Sequence, residues 1–223
     1  MAPTLDGPRI EPKSGPAKQL VVFLHGYGAD GNDLIEIGRA WQQLLPDAAF
    51  VSPHAPEACA GAPMGRQWFT LTFRDPDERW TGVNAAAPCL DAFLDAELQR
   101  RNLPASALAL VGFSQGTMMA LHVGLRRAQA PAAIVGYSGM LVLPPEVDPD
   151  KYAPEIKSRP PVLLIHGEQD DLIPVQALFH AAQGLAAFEV PVEWHLSPGI
   201  GHGIDQEGLR QGGEFLARRF KSA

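Results

Sequence analysis

Ser114 stands between two glycines in Gly112-Phe113-Ser114-Gln115-Gly116. This is the G-x-S-x-G spacing in which a sharp turn between a strand and a helix thrusts a hydroxyl into the open. The flanking residues supply both elements: Leu108-Ala109-Leu110-Val111 reads as a buried strand, and the run from Gln115 to Arg127 reads as a helix. Glycines two before and two after the serine remove side chains that would clash within the turn. Ser114 then sits at a helix N-terminus, where the dipole favours a developing negative charge and the Gln115 backbone N–H faces an oxyanion. In a chain with 22 glycines the pentapeptide alone is a weak signal; the strand before it and the helix after it make it specific.

A serine hydroxyl at neutral pH needs a histidine base, and the base needs a carboxylate to orient it. Seven histidines compete. His122 and His180 fall within expected helices and His195 within an expected strand, so packing or surface roles suit them. His25 and His166 each precede a glycine at a strand end, where hydrogen bonding that shapes the turn is the expected role. His54 lies just past a strand. His202 lies in the glycine-rich loop Ser197-Pro198-Gly199-Ile200-Gly201-His202-Gly203 after the last strand, and it is the expected base. The acid is expected in the loop Gly167-Glu168-Gln169-Asp170-Asp171, which completes the chain order serine, acid, histidine. The second oxyanion donor is expected from the loop after the first long strand, His25-Gly26-Tyr27-Gly28, through the Tyr27 backbone N–H.

These residues require a framework that brings distant loops to one edge. Near-continuous apolar runs at 19–25, 48–52, 107–113, 132–138, 161–166 and 190–196 read as strands buried on both faces. Helical periodicity falls between them at 32–45, 84–101, 115–127, 174–188 and 205–220, with Ala87, Leu90, Phe93, Leu94 and Leu98 forming one stripe. Strand and helix alternation predicts a doubly wound α/β fold with a mostly parallel sheet, in a single domain over residues 1–223. Every candidate then lies at the carboxyl end of a strand, where open α/β sheets place their sites. Residues 53–83 hold four prolines and the aromatics Trp68, Phe69, Phe73 and Trp80 without any period, and they read as an ordered excursion covering a pocket.

Bulk properties exclude several classes. A formal net charge of -7 offers no basic surface for nucleic acid. No apolar run approaches the length of a membrane span, and the opening residues have no basic-then-apolar leader, so stable membrane insertion is not expected and a cytoplasmic location is. Two cysteines, Cys59 and Cys89, are too few for a disulfide framework and are expected to be reduced. Gly26-Tyr27-Gly28-Ala29-Asp30-Gly31 satisfies G-x-G-x-x-G, but the next strand ends Ser52-Pro53-His54 with no acid to hold a ribose, so a dinucleotide is set aside. Glu168, Asp170 and Asp171 have no further oxygen ligands at loop spacing, so no metal and no cofactor is expected.

Four segments in order, LHGYGADGNDL, GFSQGTMMAL, HGEQDDLIPV and GIGHGI, resemble the phospholipase/carboxylesterase family, which includes the acyl-protein thioesterases. The resemblance spans essentially the whole chain. It implies the α/β-hydrolase fold without a separate cap, hydrolysis of carboxylic esters and thioesters, Ser114, Asp170 and His202 as triad, and Tyr27 and Gln115 as backbone oxyanion donors. The acidic loop departs from the family's G-D-x-D-P pattern, since Asp171 stands where proline is usual; register from Pro174 selects Asp170. Gln67-Trp68-Phe69 matches the position of the family's variable loop, which implies Trp68 and Phe69 as substrate-binding residues. The expected partner is a small-molecule or acyl ester, and a homodimer is compatible with the sequence. Acyl-protein thioesterase and lysophospholipase activities stand as alternatives, as does a ligand-binding receptor that keeps the fold without turnover.

Overall fold

The computed structural model describes residues 4–72, 75, 77–144 and 152–221. Strands β1 (Arg9–Ile10), β2 (Gln19–Leu24), β3 (Ala48–Val51), β6 (Leu108–Phe113), β7 (Ala133–Tyr137), β8 (Val162–Gly167) and β9 (Val192–Ser197) form one sheet in the order β1-β3-β2-β6-β7-β8-β9. All its pairings are parallel except β1 with β3. The helices are α1 (Gly31–Trp41), α2 (Glu78–Arg101), α3 (Gln115–Gly124), α4 (Gln176–Ala187) and α5 (Gln206–Lys221).

The alternation of side chains along each strand divides the core. Leu20, Val22 and Leu24 face one layer with Leu90 and Leu94 of α2, Met119 and Leu121 of α3, and Leu178 and Leu185 of α4. Val21 and Phe23 face the other, with Leu34 and Trp41 of α1 and Phe215 and Leu216 of α5. Burial on both faces explains why β2, β6 and β8 read as unbroken apolar runs. Each fully buried leucine or phenylalanine removes area worth roughly 1.5–3 kcal/mol from water. Among the described residues the last strand, β9, is paired on one side only, and Trp194 is exposed there against Phe179 at 5.5 Å between ring centroids.

The six strands expected from sequence are present to within two residues. The two-residue β1 carries no periodic signal of its own. The 53–83 excursion is shorter and more regular than expected. A hairpin of β4 (Glu57–Ala58) and β5 (Arg66–Gln67) folds inside it, and α2 begins at Glu78 rather than near 84. The Asp75 side chain accepts from the Asp77 N–H at 2.8 Å, and Glu78 accepts from the Thr72 N–H and hydroxyl at 2.8 and 2.7 Å. These local bonds start a helix where Gly82 and the aromatic residues hide the period. Phe73, expected within the excursion, lies outside the described residues. Cys59 and Cys89 are free and buried. Among the described residues no helix is long and apolar enough to cross a membrane.

His122, on the buried face of α3, packs edge-on against Trp80 at 5.6 Å. Burial, with a smaller contribution from the Arg126 charge, pushes its imidazole from 6.5 down to about 3. Between those values the unfolded chain holds a proton that the folded chain refuses. The stabilisation is therefore complete above pH 6.5 and is lost as the pH falls from 6.5 toward 3. From pH 7.5 to 5 this group should cost the fold roughly 2 kcal/mol, so urea midpoints of His122→Leu should fall less steeply with acid than those of the wild type. Parallel slopes would show that His122 does not couple to stability.

Candidate active site

Ser114 links β6 to α3 with φ 54° and ψ −116°, a conformation costly for any residue with a side chain. The turn is held by the Ser114 N–H donating to the Tyr137 carbonyl at 2.9 Å and the Thr117 N–H donating to the Ser114 carbonyl at 3.0 Å. A Cβ on Gly112 would run into the Gly116 carbonyl and Thr117 N, and one on Gly116 would run into the Leu24 carbonyl, each far inside van der Waals contact. Both motif glycines are thus required by backbone meeting backbone.

Asp170 is buried, and its carboxylate is fully engaged. Oδ1 accepts from the Leu172 and Ile173 N–H groups at 3.0 and 2.9 Å, and Oδ2 lies 2.7 Å from His202 Nδ1. A carboxylate can only accept here, so His202 carries its proton on Nδ1 and leaves Nε2 with a lone pair. The imidazole packs on the Phe113 ring at 4.9 Å. Asp171 is exposed to solvent. His166 Nε2 lies 2.8 Å from the Ile173 carbonyl and 3.3 Å from Asp170 Oδ2, clamping the acidic loop to the end of β8. Glu168 accepts from the Gly199 N–H at 3.2 Å and ties that loop to the one carrying His202.

The loop after β2 is fixed in the same manner. His25 Nε2 accepts from the Ala55 N–H at 3.0 Å, which leaves the proton on Nδ1, 2.8 Å from the Gly26 carbonyl. Burial holds this imidazole down at about 4, so it stays neutral and keeps its acceptor. The Gly28 N–H donates to Arg66 and the Arg66 N–H to Ala29, so the glycine-rich loop spends its backbone on the excursion, not on a phosphate. Gln115 begins α3, where its N–H has no intrahelical acceptor, and no described residue accepts from the Tyr27 N–H.

Ser114, His202, Tyr27 and Gln115 come together around one cavity of about 410 Å³. Its remaining wall is mostly apolar, with Leu71, Met118, Met140, Ile173 and Pro174, and it includes Arg79. Trp68 and Phe69, expected to bind substrate, are not among the residues that line this cavity. The Trp68 ring is buried and donates its indole N–H to the His25 carbonyl at 3.0 Å, while Phe69 packs where Gly82 of α2 leaves room. Their backbones grip the Gln115 side chain instead: the Trp68 N–H donates to Oε1 at 2.9 Å and Nε2 donates to the Phe69 carbonyl at 2.8 Å. Leu71, Met140 and Arg79 escaped sequence reasoning because they are scattered over three segments with no motif between them.

A parallel sheet flanked on both faces, with a strained serine at the β6–α3 turn and a buried aspartate–histidine pair after β8 and β9, defines the α/β-hydrolase fold. The chain belongs to the phospholipase/carboxylesterase family, whose model it matches over residues 5–219. It is 28% identical to esterase YpfH of Escherichia coli over 201 residues, 90% of this chain and 83% of that one. To acyl-protein thioesterase 1 of Gibberella zeae it is 26% identical over 224 residues, 95% of each chain. Among solved structures it is similar to esterase PE8, with TM-score 0.90, 44% identity and coverage of 97% of this chain and 99% of that one. The carboxylesterase of Bacillus cereus shares the fold at TM-score 0.78 and 16% identity, covering 97% of this chain and 95% of that one.

The geometry makes two stability predictions. Ser114→Gly removes about 1–3 kcal/mol of strain against an added chain entropy of about 0.5–1 kcal/mol, so its thermal midpoint should rise while Ser114→Ala, still strained, gains nothing. Equal midpoints would mean that the elbow is relaxed. Trp68→Ala should cost about 3–5 kcal/mol in chemical denaturation, as expected of a buried indole. A loss below 1 kcal/mol would return Trp68 to the pocket wall.

Proposed function

We propose that this protein is a serine carboxylesterase acting through an acyl-enzyme on Ser114. The observation that carries the reading is the Asp170–His202 bond, which presents an unprotonated Nε2 to the cavity that also holds Ser114. His202 Nε2 takes the hydroxyl proton as Ser114 Oγ attacks the ester carbonyl, and the Tyr27 and Gln115 N–H groups stabilise the tetrahedral oxyanion. His202 then protonates the departing alcohol, leaving the acyl group on Ser114. Water, deprotonated by the same nitrogen, releases the acid and restores the hydroxyl. Asp170 keeps the proton on Nδ1 throughout and supports the imidazolium.

Thioester cleavage is the second reading, favoured by the likeness to a fungal acyl-protein thioesterase. An acyl-chain series measured with alcohol and thiol leaving groups separates the two, and the apolar wall of Leu71, Met118 and Met140 favours an acyl chain over a polar one. Absence of turnover on every member would favour a ligand-binding receptor. Cytosolic residence and a homodimer stay part of the proposal on sequence grounds, with sedimentation as the check on self-association.

Ser114→Ala should lower kcat by about 10⁴-fold or more while the protein stays folded. Asp170→Asn should cost about 10⁴-fold by presenting the wrong tautomer of His202, whereas Asp171→Asn, removing an exposed charge, should cost less than about tenfold. The two aspartate variants are measured side by side on one aryl ester, and a larger loss in Asp171→Asn would reverse the assignment.

A further inference from the structure

Arg79, in the first turn of α2, lines the cavity that holds Ser114 and His202. Among the described residues it forms no hydrogen bond or ion pair. The neighbouring acids do not neutralise it: Glu78 is engaged by Thr72, and the Asp75 carboxylate caps the Asp77 N–H. No carboxylate stands among the other residues of the wall, which include Leu71, Met118, Met140, Leu172, Ile173 and Pro174. Several other described arginines are paired with carboxylates, as Arg101 is with Glu11 and Arg210 with Glu207 and Glu214. A half-buried guanidinium facing an apolar cavity gives up hydration, and a planar anion is the group that restores its hydrogen bonds, two at a time.

We propose that Arg79 recognises an anionic group on the substrate, so that the preferred esters carry a carboxylate or phosphate in addition to the carbonyl that Ser114 attacks. This rests on the esterase reading and adds its substrate class. A neutral acyl ester fills the apolar wall and leaves the guanidinium unpaired, while an anionic one fills both. The anion can arrive on the acyl side, as in a half-ester of a dicarboxylic acid, or on the leaving alcohol, as in an acylated glycerol phosphate. Both present the same oxygen pair to the same fork.

Two substrate pairs separate the sources. Aryl hemiglutarate against aryl valerate places the charge on the acyl side, and butyryl glycerol 3-phosphate against butyryl glycerol places it on the alcohol. In wild-type enzyme the ratio of kcat/KM, charged over neutral, should be about tenfold or more in at least one pair, within the range of a charge-assisted hydrogen bond. It should shrink in high salt and fall toward one in Arg79→Met, and Arg79→Lys should recover part of it as a point charge without the fork. Because each ratio is taken on one preparation, loss of active protein cancels. A ratio near one in the wild type for both pairs, or the same ratio in wild type and Arg79→Met, overturns the proposal. Calorimetry of glutaric acid monoamide with Ser114→Ala and with Ser114→Ala/Arg79→Met gives an independent reading that needs no turnover. Binding about tenfold weaker without Arg79 supports the anion site even if ester hydrolysis fails, and equal binding overturns it even if hydrolysis succeeds.

Discussion

The Leu24 carbonyl, at the end of β2, meets the backbone of Gly116 so closely that no side chain fits between them. That single close approach follows from β2 lying beside β6 in the sheet and from α3 leaving β6 without a linker. It compels glycine at 116, two residues past the turn where Ser114 takes its positive φ. It also brings the next residues of the β2 loop alongside, so that a Cβ on Gly26 would stand 3.3 Å from the Ser114 Cβ. Ser114 and the backbones of Tyr27 and Gln115 are therefore neighbours because two strands are.

The opposite wall depends on buried polar groups whose partners are all accounted for. Asp170 would be costly to bury as an unpaired charge, and three donors compensate it, two N–H groups of its own loop and His202 Nδ1. His25 and His166 perform related work at two strand ends, each bonding a nearby backbone carbonyl through one ring nitrogen. The low titration of His25 matters here, because a proton on Nε2 would break the bond from Ala55 and release the loop that carries Tyr27.

Much of this was legible in the sequence, and the legible parts share a cause. Strands buried on both faces announce themselves as apolar runs, and the elbow announces itself because backbone collision dictates glycine at two fixed offsets. His202 could be chosen because chain order and strand ends restrict the candidates, and the turn-shaping roles of His25 and His166 were readable from the glycine that follows each. The placement of Trp68 and Phe69 was not legible, because an aromatic pair in an irregular segment looks the same whether it faces a ligand or a core. Only the indole N–H bond to His25 and the gap at Gly82 distinguish the two. Arg79 was invisible because the start of α2 is marked by hydrogen bonds that Asp75 and Glu78 accept, not by a period, and its place beside Met140 and Ile173 on one cavity wall is purely tertiary.

The family, the strained serine and the engaged aspartate–histidine pair are what support the proposed acyl-enzyme. The most direct test is mass spectrometry of the intact and digested chain, quenched during turnover of an activated aryl ester whose deacylation is slow. The account predicts one acyl group on the peptide carrying Ser114, appearing with the first burst of aryl alcohol and decaying with the steady-state rate. Turnover with no acyl group on that peptide, or with the acyl group on another residue, would contradict it.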